Sequence, residues 1–386
     1  MPELRLRRLT VARLVAAVAI GLAVGLVDAV ECRADSSCDC GPCPREQDQV
    51  WLVSSRGLWG CDWESNVTRL KVSRYDRTEK WVASDLQSFL NTDDADTVTV
   101  VFLHGNRIDS CTAYQTGWSA YRRLTSCAAA QPVRFVIWSW PSSRECGPIR
   151  DARIKAARTD AHGYYLAWFV DQMQGDVPVS FWGHSFGARI ATGALHLLGG
   201  GALAGHRLER RDPGALRPMQ AALLASALDS DWLLPGHRHG DAWPQLEGLL
   251  LVNNRCDRLL QRYHLLYCRR SCRRALGATG VSTRRLPADQ AAKVYQIDAC
   301  CYVGKQHRLV NYLCSPTLMA HIRAHLLFEE KTATMDPAEA EAQPDKPLAE
   351  APTRAEPSES DVVVDGPAAT PVADSAAAPI LEPASQ

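Results

Sequence analysis

Between residues 49 and 328, short apolar runs alternate with longer amphipathic ones, and this alternation restricts the fold more than any other feature of the chain. Strand followed by helix, repeated, leads to a mostly parallel sheet covered by helices. The runs at 98–103 (Val-Thr-Val-Val-Phe-Leu) and 249–252 (Leu-Leu-Leu-Val) are continuously apolar, as strands buried on both faces require. Eight strands are expected, over Gln49–Ser54, Leu70–Arg74, Thr97–Leu103, Val133–Trp138, Val179–Trp182, Met219–Ala225, Gly248–Asn253 and Lys293–Asp298. The first two lack a helical segment between them and should pair as a hairpin. Helices are expected over Trp81–Leu90, Thr112–Leu124, Asp151–Met173, Phe186–Leu198, Asp257–Leu266 and Pro316–Leu327, on both faces of the sheet.

The flanks differ from this central domain. Arg5, Arg7, Arg8 and Arg13 precede an unbroken apolar stretch, Leu14–Val27, that is shorter than a bilayer span needs. Residues 1–30 therefore read as a secretory signal or an N-terminal membrane anchor, and the protein as periplasmic or extracellular. Residues 31–48 form a cysteine-rich linker. With 14 cysteines in the chain, an exported setting points to disulfides. The C-x5-C-x-C-x2-C spacing of Cys32, Cys38, Cys40 and Cys43 leaves a metal site as the alternative for that group. Cys300, Cys301, Cys268 and Cys272 read as further bridge partners. From 329 to 386 the chain is rich in Ala, Pro and acidic residues, with 13 Asp or Glu against three Lys or Arg, the composition of a disordered tail.

Charge excludes one class of partner. The whole chain balances 43 basic against 43 acidic residues, and its arginines stand singly or in pairs without stacking aromatics between them. No nucleic acid is expected.

In an open α/β sheet the reactive groups gather past the carboxyl ends of strands. After the fifth expected strand comes Gly183-His184-Ser185-Phe186-Gly187, followed at once by a helix-forming run. A serine between two glycines at a strand-to-helix turn sits on a bend too sharp for bulky neighbours, exposing its hydroxyl at a helix amino end. Ser185 is the candidate nucleophile. The turn Leu103-His104-Gly105-Asn106 follows the third expected strand, so the backbone N–H groups of Asn106 and Phe186 are the expected oxyanion donors. His104 reads as a structural histidine bonding loop carbonyls.

A serine needs a base and an acid to orient the base, in the chain order Ser, acid, His for this arrangement. Asp257 lies past the seventh expected strand and His307 past the eighth. Asp229 and Asp231 are rival acids, and His264, His321 and His325 are rival bases whose helical positions suit packing or solvent better. Trp138 and Trp140 either wall the pocket or belong to the core. Residues 232–240 offer a short cover over the site, too short to gate a deep lipid pocket.

These segments, with Trp138-Ser139-Trp140-Pro141, Asn253-Asn254-Arg255-Cys256-Asp257 and Gly304-Lys305-Gln306-His307, resemble the α/β-hydrolase superfamily over roughly residues 95 to 325. More narrowly, they are similar to the bacterial α/β-hydrolases grouped as a domain family of unknown function. The resemblance implies the α/β-hydrolase fold and Ser185, Asp257 and His307 as a triad, and implies no substrate. The expectation is an exported serine hydrolase acting on a small-molecule or lipid-like carboxylic ester, with no metal or organic cofactor. An amidase, thioesterase or acyltransferase would use the same triad; a non-catalytic envelope-binding protein on the same fold is the alternative class.

Overall fold

In the computed structural model, residues 43–329 are described, apart from 59, 127, 129–130, 215–216 and 267–272. The expected signal or anchor, Cys32, Cys38, Cys40, Cys268, Cys272 and the tail beyond residue 329 lie outside them. No described helix is long and apolar enough to cross a membrane.

The architecture is α/β with one large sheet. Its strands are β1 (Gln49–Ser54), β2 (Lys71–Asp76), β3 (Lys80–Ser84), β4 (Val98–Leu103), β5 (Val133–Ser139), β6 (Val179–His184), β7 (Met219–Leu224), β8 (Gly248–Asn253) and β9 (Val294–Asp298). They lie in the order β9-β8-β7-β6-β4-β5-β1-β2-β3, with β1, β2 and β3 joined antiparallel and every other pairing parallel. The sheet thus has nine strands where eight were expected. The additional strand, β3, occupies the start of the segment expected to be the helix Trp81–Leu90; only Leu86–Leu90 is helical there. The cause is local. The Asp76 carboxylate accepts the backbone N–H groups of Thr78 and Glu79, closing a turn with Lys80 at φ 68°, and Asp85 then caps the short helix by accepting the N–H of Ser88. β1 and β2 do pair antiparallel, although a short helix, Trp63–Asn66, lies between them.

The longer helices are α1 (Ser110–Thr125), α2 (Pro148–Asp171), α3 (Phe186–Leu198), α4 (Leu309–Leu313) and α5 (Pro316–Leu326). α2 and α3 pack on each other, while α1, α4 and α5 form a second group. Every residue of β4, β5, β6 and β8 is buried, and since successive side chains point to opposite faces, helices cover both sides there. The expected helix over 257–266 is instead a 3-10 segment, Leu260–Leu266. The end of the cysteine-rich linker is tied to the sheet: Tyr121 donates its hydroxyl to Asp48, which also accepts the N–H of Val133.

Strand order places the site. From β4 the chain moves outward to β5, then returns to the other side of β4 as β6, so the crevice between β4 and β6 is where the winding reverses. Register aligns the carboxyl ends there, with Leu103 beside Gly183, His184 beside Leu224, and Asn253 beside Asp298.

Candidate active site

Ser185 closes β6 and opens α3 with φ 55° and ψ −116°, a left-handed region that costs a non-glycine residue on the order of 1–3 kcal/mol. Surrounding bonds hold it there. Its N–H donates to the Leu224 carbonyl, and its own carbonyl accepts from Ala188 and Ala227. Gly187 is required by close approach, since a Cβ there would lie 2.1 Å from the carbonyl oxygen of Leu103. At Gly105, in the turn after β4, a Cβ would come within 3.2 Å of the Ser185 Cβ, so that turn runs directly against the serine.

Three expected side chains converge. The Ser185 hydroxyl Oγ is 2.9 Å from His307 Nε2, and His307 Nδ1 is 2.6 Å from Asp257 Oδ2. Because a carboxylate accepts, Nδ1 carries the proton and Nε2 is left to accept from the serine. The other oxygen of Asp257 accepts the backbone N–H groups of Leu259 and Leu260 at 2.8 and 3.1 Å, which fixes the carboxyl plane. Asp257 is wholly buried and Ser185 nearly so, while the His307 side chain keeps a 17% opening to solvent.

The rivals are occupied elsewhere. Asp229 accepts the Tyr263 hydroxyl at 2.7 Å and pairs with Arg273, and Asp231 faces His237. His264 is exposed, His325 bonds the Ala221 carbonyl, and the Ser185 hydroxyl bonds His307, not His321 or His325. Trp138 and Trp140 are fully buried core residues, the latter donating its indole N–H to the His104 carbonyl. His104 donates Nδ1–H to the Gly105 carbonyl, as a structural histidine should.

Several positioning residues carry no local signal in the sequence. His184 donates Nε2–H to the backbone carbonyl of His307 at 2.9 Å, and Asn254 donates its amide to the carbonyls of Gly304 and Gln306 at 2.9 and 3.1 Å. Together they pin the loop that carries the base. Asp151, fully buried at the start of α2, accepts from the side chains of Asn106 and Arg107 and thereby anchors the turn after β4. Burial pushes its carboxyl upward, but the Glu145 N–H and the Arg107 and Asn106 side chains outweigh that and leave it below the ordinary range. A disulfide joins Cys256, just before Asp257, to Cys300, just past β9; Cys300 takes that partner, and Cys301, expected to bridge, is an exposed free thiol, as are Cys43, Cys61, Cys111 and Cys146.

Burial drives His104 and His184 down to about 3, so both stay neutral in the folded protein. The unfolded chain protonates them near pH 6.5, so stability is complete above that value and falls as pH descends towards 3, by about 1.4 kcal/mol per pH unit for each ring. Thermal melting should therefore drop steadily between pH 7 and pH 5. A midpoint that does not move over this range would mean that the rings are solvated.

A scan of protein-family models and a search of curated proteins each return no match for this chain.

Proposed function

We propose that this chain is an exported serine hydrolase with the α/β-hydrolase fold, cleaving carboxylic esters through an acyl-enzyme. The observation that carries the reading is the continuous proton path from Ser185 through His307 to Asp257, at 2.9 and 2.6 Å, with the serine on a strained turn at the sheet's reversal point. The sequence resemblance to bacterial α/β-hydrolases supports the same reading. The disulfide at Cys256 and Cys300 favours an oxidising compartment.

In this mechanism Ser185 Oγ attacks the ester carbonyl carbon as its proton passes to His307 Nε2. Asp257 stabilises the imidazolium, and the tetrahedral oxyanion accepts from the backbone N–H groups of Asn106 and Phe186. Collapse breaks the ester C–O bond, and the imidazolium returns its proton to the leaving alcohol. Water, deprotonated by His307, then attacks the acyl-enzyme and releases the acid and the free serine. An amide or thioester would follow the same steps with a different leaving atom.

A fluorophosphonate probe tests the proposal, since it phosphonylates a serine activated in this way far faster than an ordinary hydroxyl. One covalent label per chain is expected, absent in Ser185→Ala. Folded wild-type protein that takes no label would leave a binding protein as the better account.

A further inference from the structure

A cavity of about 390 Å³ has four arginines, Arg153, Arg189, Arg238 and Arg273, among the residues that line it. Arg189 belongs to it and stands four residues past Ser185 on α3, so its backbone is one turn, roughly 6 Å, along the helix. Helical side chains lean back towards the amino end, which aims this guanidinium towards the carboxyl edge of the sheet, where Ser185 sits. It lies over the ring of Phe186, the residue after Ser185, at 5.5 Å, and over Trp232 at 4.5 Å.

The charges around the cavity do not cancel. At its rim Arg238 is paired with Asp160 and Arg273 with Asp229, and Asp231, the only acid among the described residues lining it, faces His237. Arg189 is different: it is 94% buried, 6% of its surface being exposed, and donates Nε–H to Thr159 Oγ1 at 3.2 Å. No carboxylate among the described residues pairs with it. The two aromatic faces offset part of the cost of burying this charge, and its remaining N–H groups still call for an acceptor. A planar guanidinium at the floor of an open cavity matches a carboxylate or phosphate group in geometry as well as charge.

We infer that this cavity holds an oxyanion group carried by the substrate, so that the preferred ester is one bearing a carboxylate or phosphate on the order of 10 Å from the bond that breaks. The inference rests on the hydrolase reading for its catalytic part, whereas anion binding itself does not.

The test uses the full chain and two chromogenic esters of matched chain length, neutral 4-nitrophenyl nonanoate and mono-4-nitrophenyl azelate, whose extended chain sets its terminal carboxylate on the order of 10 Å from the ester carbonyl. The ratio of kcat/KM, azelate ester over nonanoate, should favour the anionic ester by about tenfold or more, the discrimination of one charge-assisted hydrogen bond. Arg189→Gln should bring the ratio close to one, and Arg189→Lys should keep part of it. Should Arg189→Gln fail to fold, Arg238→Gln, at the exposed rim, should still lower the ratio. Calorimetric titration with azelate and with inorganic phosphate separates the two sources, the stronger binder naming the group. It also separates the two readings: absent turnover and labelling would end the hydrolase proposal, while anion binding lost in Arg189→Gln would still support the cavity's role. A ratio unchanged in folded Arg189→Gln, or no binding of either anion, overturns the inference.

Discussion

Asp257→Asn is expected to lower kcat about 10⁴-fold while leaving the folded structure in place. The reason lies in the two oxygens of this carboxylate. One accepts the backbone N–H groups of Leu259 and Leu260, the other accepts His307 Nδ1–H. An asparagine has a single oxygen to offer. Keeping it on the two backbone donors turns the amide NH₂ towards His307, which forces Nδ1 to accept and moves the ring proton to Nε2. That nitrogen can then no longer take the proton of Ser185. Turning the amide over would set its NH₂ against two backbone donors, a worse arrangement. The substitution is nearly isosteric in a fully buried position, so the melting temperature should shift by only a few degrees. Asp229→Asn provides the contrast. It weakens the contacts to Tyr263 and Arg273, so it should cost stability and leave proton transfer at Ser185 untouched. Steady-state kinetics and thermal melting on the two variants decide the matter, and a kcat for Asp257→Asn within tenfold of wild type would remove Asp257 from the acid's position.

The parts of this molecule that could be read from sequence are those whose signal is local. A continuous apolar strand, a serine between glycines and an apolar helix follow one another without a break, so β6, Ser185 and α3 are legible as one unit, and α3 has the expected bounds. Asp257 and His307 are legible because each stands a short loop past a strand, and the order of strands then brings those loops to one edge. β3 misleads for a physical reason. Val82, Leu86, Phe89 and Leu90 fall at helical spacing across a strand, a turn and a short helix, and an edge strand with both faces partly exposed shows no clear alternation. The residues that position the triad are hidden for another reason: His184, Asn254 and Asp151 act through partners 123, 50 and 45 residues away, and nothing near them in the chain marks the contact.

The same distance problem is met covalently at the loops that carry the acid and the base. Cys256 precedes Asp257, and Cys300 lies between β9 and His307, so their disulfide ties the two loops together. Arg255 and Asp298, one residue outside the bridge on β8's side and at the end of β9, add an ion pair across the same gap. The closed loop spans a sequence separation of 44, for which chain entropy predicts about 4 kcal/mol of stabilisation. The double variant Cys256→Ser/Cys300→Ser should therefore lose about 2–4 kcal/mol in denaturant unfolding. Activity should suffer separately under conditions where the variant is still folded, because the 2.6 Å contact between Asp257 and His307 depends on both loops holding still, and a displacement of about 1 Å can cost 10²-fold in rate. Reducing agent added to the wild type should act in the same direction, whereas Cys301→Ser, which removes an exposed free thiol next to the bridge, should change neither quantity. If the double variant kept both its unfolding midpoint and its kcat, the hydrogen bonds from His184 and Asn254 would have to be sufficient to hold the base against its acid without the bridge.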